Sequence, residues 1–461
     1  MQSIPVIAIF DIGKTNKKLF LFDEAYRMVY ERSARFAEVT DEDGDSCENI
    51  EALTNSVFDL LNEVLDLKEY DIKAVNFSTY GASFVYIDEN GKPLTPLYNY
   101  LKPYPENLKK QFYAAYGGEA AVSKDTASPV LGSLNSGMQL YRLKHEKPEV
   151  FKKIKYALHL PQYLSFLVTG EAYTDLTSIG CHTGLWDFNK SDYHQWVKKE
   201  GALVKFAPVA PANTVLQTTR KGHEFKAGIG LHDSSAALIP YLVNFHEPFL
   251  LLSTGTWSIS LNPFNHTPLT PHELNNDCLC YLQYRGKPVK ASRYLAGMEH
   301  DQQSARIAAH FKIDADFYKT VDYDRGTALR LLNTADDLVK TAYKFDRSVF
   351  ALRKLSQFES AEEAYHQLIF DIVQHQHTST QLVLADTAAK RIFVDGGFSK
   401  NVLFMNMLAN AFPDLEVFAA SMAQATAIGT ALAIHNSWNS NPPPGDIIEL
   451  KHYSAISQAT I

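Results

Sequence analysis

Two segments half a chain apart share one plan of strand, small polar turn and strand, and that duplication limits the fold more than any other feature. Val6-Ile7-Ala8-Ile9-Phe10 is a β-rich apolar run, Asp11-Ile12-Gly13-Lys14-Thr15-Asn16 is turn-like, and Leu19-Phe20-Leu21-Phe22 is a second strand. Phe249-Leu250-Leu251-Leu252, Ser253-Thr254-Gly255-Thr256 and Trp257-Ser258-Ile259-Ser260-Leu261 repeat it. Each is followed by strand and helix signals. In the first half these are a third strand from Met28, a helix over about 50–67, the strand Ala74-Val75-Asn76-Phe77-Ser78, and mostly helix from 103 to 169. In the second half they are helices near 293–311 and 361–386, the strand Arg391-Ile392-Phe393-Val394, a helix from Lys400 and a last helix over about 422–435. No short repeat period is visible, so solenoids and propellers are excluded. The chain of 461 residues has room for two or three domains at about 150 residues each.

Charge removes other classes. Lys plus Arg is 44 against 52 for Asp plus Glu, a net charge of −8 with no basic stripe, so the chain is not built to bind nucleic acid. The four cysteines are too few for a disulfide scaffold, and Cys278 and Cys280 lack a second pair for zinc. Neither a signal-like start nor an apolar run near the ~20 residues of a membrane span is present. A cytoplasmic multi-domain enzyme is expected.

Four segments can carry chemistry. In the first turn, Gly13 allows close backbone approach, Thr15 and Asn16 can donate to phosphate oxygens, and Lys14 or Lys18 can supply positive charge. Asp11, at the strand end, can hold Mg2+ through its waters. The plain alternative is an ordinary hairpin turn. Ser253-Thr254-Gly255-Thr256 would form the other half of the cradle. Asp395-Gly396-Gly397-Phe398-Ser399-Lys400-Asn401 ends a strand in two glycines and opens a helix, which suits a nucleotide. In Gly230-Leu231-His232-Asp233-Ser234, Asp233 is a base for a hydroxyl or, alternatively, a helix N-cap, and His232 reads as structural.

Taken together, these segments resemble the FGGY carbohydrate kinases of the sugar kinase, chaperone ATPase and actin superfamily, over nearly the whole chain and in family order. Within it, Ser253-Thr254-Gly255-Thr256-Trp257, His232-Asp233-Ser234-Ser235-Ala236 and Tyr80-Gly81-Ala82-Ser83-Phe84 are similar to the rhamnulokinase and fuculokinase branch. Lys14 departs by replacing a small residue, Ser83 by replacing an Asp, and Leu97-Tyr98-Asn99-Tyr100 by replacing a Y-R-D segment.

The resemblance implies an α/β fold of two actin-like, ribonuclease H-like domains with an interdomain cleft. The first spans 1–243 with the sugar site and first phosphate loop, the second spans 244–438 with the nucleotide, and the tail 439–461 is expected to pack on the first. It implies ATP-dependent phosphorylation of a ketose hydroxyl, with Asp233 taking the proton and Asp11 placing Mg2+. Gly13, Lys14, Thr15, Asn16, Lys18, Thr254, Gly255 and Thr256 are expected around phosphate, and Gly396, Gly397 and Asn401 beside the nucleotide. Tyr80, Gly81 and Ser83 are expected with Asp233 at the sugar, Tyr80 offering its ring face and hydroxyl. L-Rhamnulose or L-fuculose is the expected substrate; another sugar such as xylulose or ribulose, a polyol, or a non-catalytic ATP-binding protein are the alternatives. The expected partners are the sugar and ATP, with no nucleic acid and no membrane; a homodimer is neither required nor excluded.

Overall fold

A computed structural model describes residues 3–333, 348–385, 387–422 and 424–455. The ends of the expected helix at Asp386 and of the tail at 456–461 lie outside the described residues, as does residue 423 of the expected last helix.

The first apolar run becomes the strand Ile4–Ile12, and Val6 to Phe10 have no exposed surface. A strand covered on both faces reads as a continuous apolar run rather than an alternating one. It pairs antiparallel with Lys17–Asp23, which pairs with Met28–Ala34, and parallel with Tyr70–Thr79 on its other side. The sheet continues through His223–Gly228 and Val215–Arg220, and the short strand Leu231–His232 joins the end of Tyr70–Thr79. The helix Ile50–Asp66 is capped by Asn49, whose side chain accepts the N–H of Ala52, and it buries Leu53, Val57, Leu61 and Val64.

The second sheet repeats this plan. Phe249–Thr254 pairs antiparallel with Ser258–Asn262, which pairs antiparallel with Pro288–Tyr294 and that in turn with Cys278–Leu282. On its other side it pairs parallel with Arg391–Gly396, which pairs parallel with Glu416–Ser421. The two halves are thus actin-like α/β domains. In each, the loop after the first strand lies beside the end of a parallel neighbour, the place where open α/β sheets commonly bind ligands.

The joint between halves is close. The helix Ala425–Ala433 crosses Asp233–Asn244 so tightly that a Cβ on Gly429 would stand 1.9 Å from the Ala236 carbonyl oxygen. Asn76 Nδ2 donates to the Thr430 carbonyl at 2.9 Å, and Tyr26 Oη meets His435 Nδ1 at 2.6 Å.

Three expectations change. The helix expected from residue 293 begins only at Ala296, because Pro288–Tyr294 is a strand pairing Ser258 with Tyr294. The helical stretch 103–169 contains the strand Tyr156–His159, paired with Phe84–Ile87. The tail does not simply pack on the first domain. Asn439 Nδ2 does donate to the Glu24 carbonyl there at 2.8 Å, but Glu449–Tyr453 runs antiparallel along Glu416–Ser421 as the last strand of the second sheet. The sheet edge thereby passes to a short, mostly exposed strand carrying Glu449 and Lys451, charged residues of the kind that blunt sheet edges.

Candidate active site

Asp11 lies near the end of the first strand, opposite Lys18 on one side and Ser78 on the other. The Ser78 hydroxyl donates to its Oδ1 at 3.0 Å. Burial raises the Asp11 pKa to about 6, the charge of Asp233 adds to that, and Ser78 and Lys18 oppose it. In the following loop the Gly13 N–H donates to the Asn16 carbonyl at 2.9 Å, leaving Thr15 and Asn16 exposed. Asn16 Oδ1 accepts from Arg35 Nε at 2.9 Å. Sequence left the choice between two lysines open. Lys18, paired to Glu31 at 2.8 Å, is the one whose charge acts on Asp11, whereas Lys14 turns to Glu38 at 2.6 Å.

Asp233 reaches the same place because Leu231–His232 pairs with Ser78 and Thr79, so the next residue opens its helix beside those strand ends. It is not the N-cap; His232 occupies that position, without a side-chain cap bond. Asp233 Oδ1 accepts the Ser234 N–H at 2.6 Å and hydroxyl at 3.3 Å, and the side chain keeps 35% exposure. An open carboxylate at the start of a helix can meet a ligand. Burial by its surroundings lifts its pKa to about 6, against the pull of Ser234. Below it, His232 is buried and held neutral, burial lowering its pKa to about 3. Its Nε2 stands 3.2 Å from Asp233 Oδ1 and 3.0 Å from Cys181 Sγ, and its ring stacks on Tyr281 of the second domain at 5.7 Å. Gly81 makes room for it, since a Cβ there would lie 2.9 Å from the imidazole.

Tyr80 and Ser83 are both buried next to this floor. The Tyr80 hydroxyl donates to Glu48 Oε2 at 3.3 Å, so the residue offers a ring and not the free hydroxyl expected of it. Ser83 Oγ, Gln139 Oε1 and His182 Nδ1 are buried without a hydrogen-bond partner among the described residues. Gln139 is tied to this wall by Nε2 donating to the Ala82 carbonyl at 2.7 Å. Buried polar atoms left unpaired cost free energy unless a ligand or water completes them. Sequence reasoning gave no role to Gln139, His182 or Tyr100, although Tyr100 stood in a segment noted as divergent. Its ring lies edge-on to Tyr80 at 5.9 Å.

In the second domain Gly255 and Thr256 are exposed, and Thr256 lines a cavity of about 630 Å³ with Gly297, His300, Tyr318, Gly397 and Asn401. Asn401 caps its helix by accepting the Phe404 N–H at 3.0 Å while Nδ2 donates to Tyr365 Oη at 2.7 Å. Thr254, expected near phosphate, has its hydroxyl engaged within the protein. It donates to the Asp395 carbonyl at 2.6 Å and accepts the Phe398 N–H at 3.0 Å, which braces the glycine turn. Asp395, unassigned from sequence, accepts the Gly396 N–H at 2.7 Å and the Tyr241 hydroxyl at 3.2 Å, and burial raises its pKa. Gly396 has φ +91°, and a Cβ would fall 1.9 Å from the Thr254 carbonyl oxygen. Gly396→Ala is expected to displace the turn and raise KM for ATP at least tenfold, with KM for sugar within twofold; initial rates with each substrate varied check this.

Comparison with known proteins agrees with this arrangement. The profile of the "FGGY family of carbohydrate kinases, N-terminal domain" matches residues 6–239, and that of the "Carbohydrate kinase FGGY, C-terminal domain" matches 246–442. A rhamnulokinase of Halalkalibacterium halodurans is 22% identical over 453 residues, covering 92% of this chain and 91% of the relative. Among solved structures, a carbohydrate kinase from Novosphingobium aromaticivorans superposes with a TM-score of 0.78 at 22% identity, covering 99% of this chain and 96% of that one. A xylulose kinase from Lactobacillus acidophilus gives 0.75 at 16%, covering 98% and 94%. These matches and the paired strand-end loops converge: the chain belongs to the FGGY family of carbohydrate kinases, enzymes that transfer phosphate from ATP to an alcohol group.

Proposed function

We propose that this kinase phosphorylates a hydroxyl of a ketose, with a deoxy-ketose such as L-rhamnulose or L-fuculose as the first choice. The observation that carries the reading is Asp233, open to a ligand at a helix start, with a pKa near 6 and a neutral histidine beneath it. The similarity to rhamnulokinases supports the choice of sugar. Ser83 favours a second reading, a kinase of xylulose or ribulose, because a neutral hydroxyl grips a sugar less firmly than a carboxylate would.

In this reading the sugar hydroxyl donates a hydrogen bond to Asp233. As the oxygen attacks the γ-phosphorus and the bond to the β-phosphate bridging oxygen breaks, the proton passes to Asp233. The products are ADP and a sugar phosphate, and the proton leaves Asp233 to solvent. His232 restricts the carboxylate from below. Gly13, Thr15, Asn16, Gly255 and Thr256 would border the phosphates, and Gly396, Gly397 and Asn401 the remainder of the nucleotide. Most of the rate must come from positioning and fixed charge.

Mg2+ fits the donor set. Asp11 and Asp233 face one electrostatic site, and no salt bridge from Lys or Arg reaches either among the described residues. Among those residues no group of three or more His, Cys, Asp or Glu is arranged as a metal cage. Mg2+ commonly keeps its waters and takes one or two carboxylates besides substrate phosphates. Asp11 would hold it through water, and bound Mg2+ supplies charge neutralisation for the phosphates. A cytoplasmic setting belongs to the same reading; no helix of the described residues is long and apolar enough to cross a membrane.

The test is ADP release on L-rhamnulose, L-fuculose, L- and D-xylulose and L-ribulose. The deoxy-ketoses are expected to have the highest kcat/KM, and a preference for xylulose or ribulose selects the second reading. Ser83→Ala and Tyr80→Ala should each raise KM for the sugar, by about tenfold for a lost hydrogen bond at Ser83, with KM for ATP unchanged. A change confined to ATP would move the sugar site elsewhere.

A further inference from the structure

Lys14 sits in a loop whose backbone belongs to the phosphate end of the cleft, yet its side chain leaves that end. Its Nζ stands 2.6 Å from Glu38 Oε1 and 4.0 Å from Glu48 Oε2. It lies 5.9 Å from the Tyr80 ring centroid and 6.0 Å from that of Tyr100. Lys17, almost fully buried, holds the arrangement from behind, with Nζ 2.9 Å from Glu48 Oε1 and donating to the Lys14 carbonyl at 2.9 Å. The Lys14 side chain nevertheless keeps 27% exposure, and that of Glu38 42%. Both can therefore meet a ligand.

Tyr100 links this cluster to the reacting end. Its ring lies edge-on to that of Tyr80 at 5.9 Å, and Tyr80 leads into Gly81, where a Cβ would stand 2.9 Å from the His232 ring that meets Asp233 at 3.2 Å. In keeping with this, burial raises the Tyr100 pKa, the charge of Lys14 opposes that rise and the charge of Asp233 adds to it. Lys14 with Glu38 thus forms the side of the Asp233 floor that carries Tyr80 and Tyr100. The charges balance, two lysines against Glu38 and Glu48. Such a site offers an ammonium donor and a carboxylate acceptor to adjacent hydroxyls, and two ring surfaces to C–H edges. It has no net positive charge with which to draw in a carboxylate group.

We propose that Lys14 is a specificity-determining residue for the sugar, acting with Glu38 between the rings of Tyr80 and Tyr100, and that this pocket takes a neutral ketose and rejects a sugar acid. The inference rests on the ketose kinase reading and narrows its substrate class. It takes Lys14 away from the phosphates, where its loop position alone would put it.

Lys14→Met and Glu38→Gln test it, each read by KM for the sugar, KM for ATP and calorimetric binding of the sugar alone. Lys14→Met should raise KM and Kd for the preferred ketose about tenfold or more, as loss of a charge-assisted hydrogen bond would, and leave KM for ATP within twofold. Glu38→Gln, which turns the balanced cluster net positive, should lower the inhibition constant of D-gluconate about tenfold relative to the wild type. A Lys14→Met effect confined to ATP makes Lys14 a phosphate ligand and overturns the inference. Wild-type inhibition by D-gluconate as strong as by the ketose product also overturns it. If no ketose is turned over, the ketose kinase reading fails, and calorimetry still decides the inference: binding of a neutral sugar that Lys14→Met weakens upholds it, and no binding of any neutral sugar removes it.

Discussion

Asp233→Asn is expected to lower kcat by about 10²–10⁴-fold, the usual contribution of a general base, while ATP and sugar should still bind. The amide is nearly isosteric and its oxygen can still accept the Ser234 N–H that Asp233 Oδ1 accepts at 2.6 Å, so the helix start is kept. What is lost is a site for the hydroxyl proton. The residual rate reports positioning and electrostatic stabilisation by the rest of the cleft. Wild-type kcat/KM should rise with pH through about 6, where Asp233 ionises, and the variant should lack that rise. A stability measurement separates this from damage to the fold. Because burial raises the Asp233 pKa from 3.8 to about 6, the folded protein binds more protons than the unfolded chain between those values, and stability falls as pH increases across them. Asparagine removes that loss, so the variant should melt no lower than the wild type at pH 8. Unchanged kcat would reduce Asp233 to a helix-start residue and remove the base from the mechanism.

Much of the frame was legible because it follows from burial on two faces. Val6 to Phe10 and Phe249 to Leu252 are unbroken apolar runs ending in small polar turns, and each became the central strand of a sheet. The helix expected over about 50–67 was found at Ile50–Asp66, where five buried apolar residues recur on one face. Pro288–Tyr294 was misread in part because it buries charges. Lys290 is 2% exposed and pairs with Glu273 at 2.6 Å, and Arg293 pairs with Asp277 at 2.6 Å. Partners from another segment make a buried strand look like an exposed one. Glu449–Tyr453 carries no alternation because only Tyr453 among its residues is buried. In the site, Asp11 and Asp233 could be singled out since each stands where a strand gives way to a turn or helix. Glu38, Tyr100 and Gln139 could not, because their neighbourhood is made by pairing across distant segments. Lys14 illustrates the limit most sharply: the sequence gives its backbone position, whereas the partner 24 residues on that turns its side chain is fixed only by the folded sheet.

Asp11→Asn should shift the Mg2+ titration of activity about 10–100-fold to higher concentration, the range measured for residues that orient metal-bound groups without direct ligation. The carboxylate lies at the strand end, receives the Ser78 hydroxyl at 3.0 Å, and is raised to about pH 6 chiefly by burial and then by the neighbouring charge of Asp233. Two partly desolvated carboxylates facing one site repel each other, and a hydrated divalent cation held by Asp11 would relieve that repulsion. The amide keeps the acceptor for Ser78 and loses the charge that would hold the metal's waters. Sugar binding measured by calorimetry without nucleotide should stay within twofold, since Tyr80, Ser83 and Asp233 are untouched. Stability should move the opposite way from activity. Folded Asp11 keeps its proton to about pH 6 and the unfolded residue loses it near 3.8, so the native carboxylate weakens the fold increasingly as pH rises across that window. Asp11→Asn should therefore melt higher than the wild type at pH 8, and the gain should vanish below about pH 4 where both side chains are uncharged. Superimposable Mg2+ curves for the two proteins would take Asp11 out of the metal site, and a lower melting temperature at pH 8 would show that its charge is compensated within the fold, leaving a structural role in place of the electrostatic one.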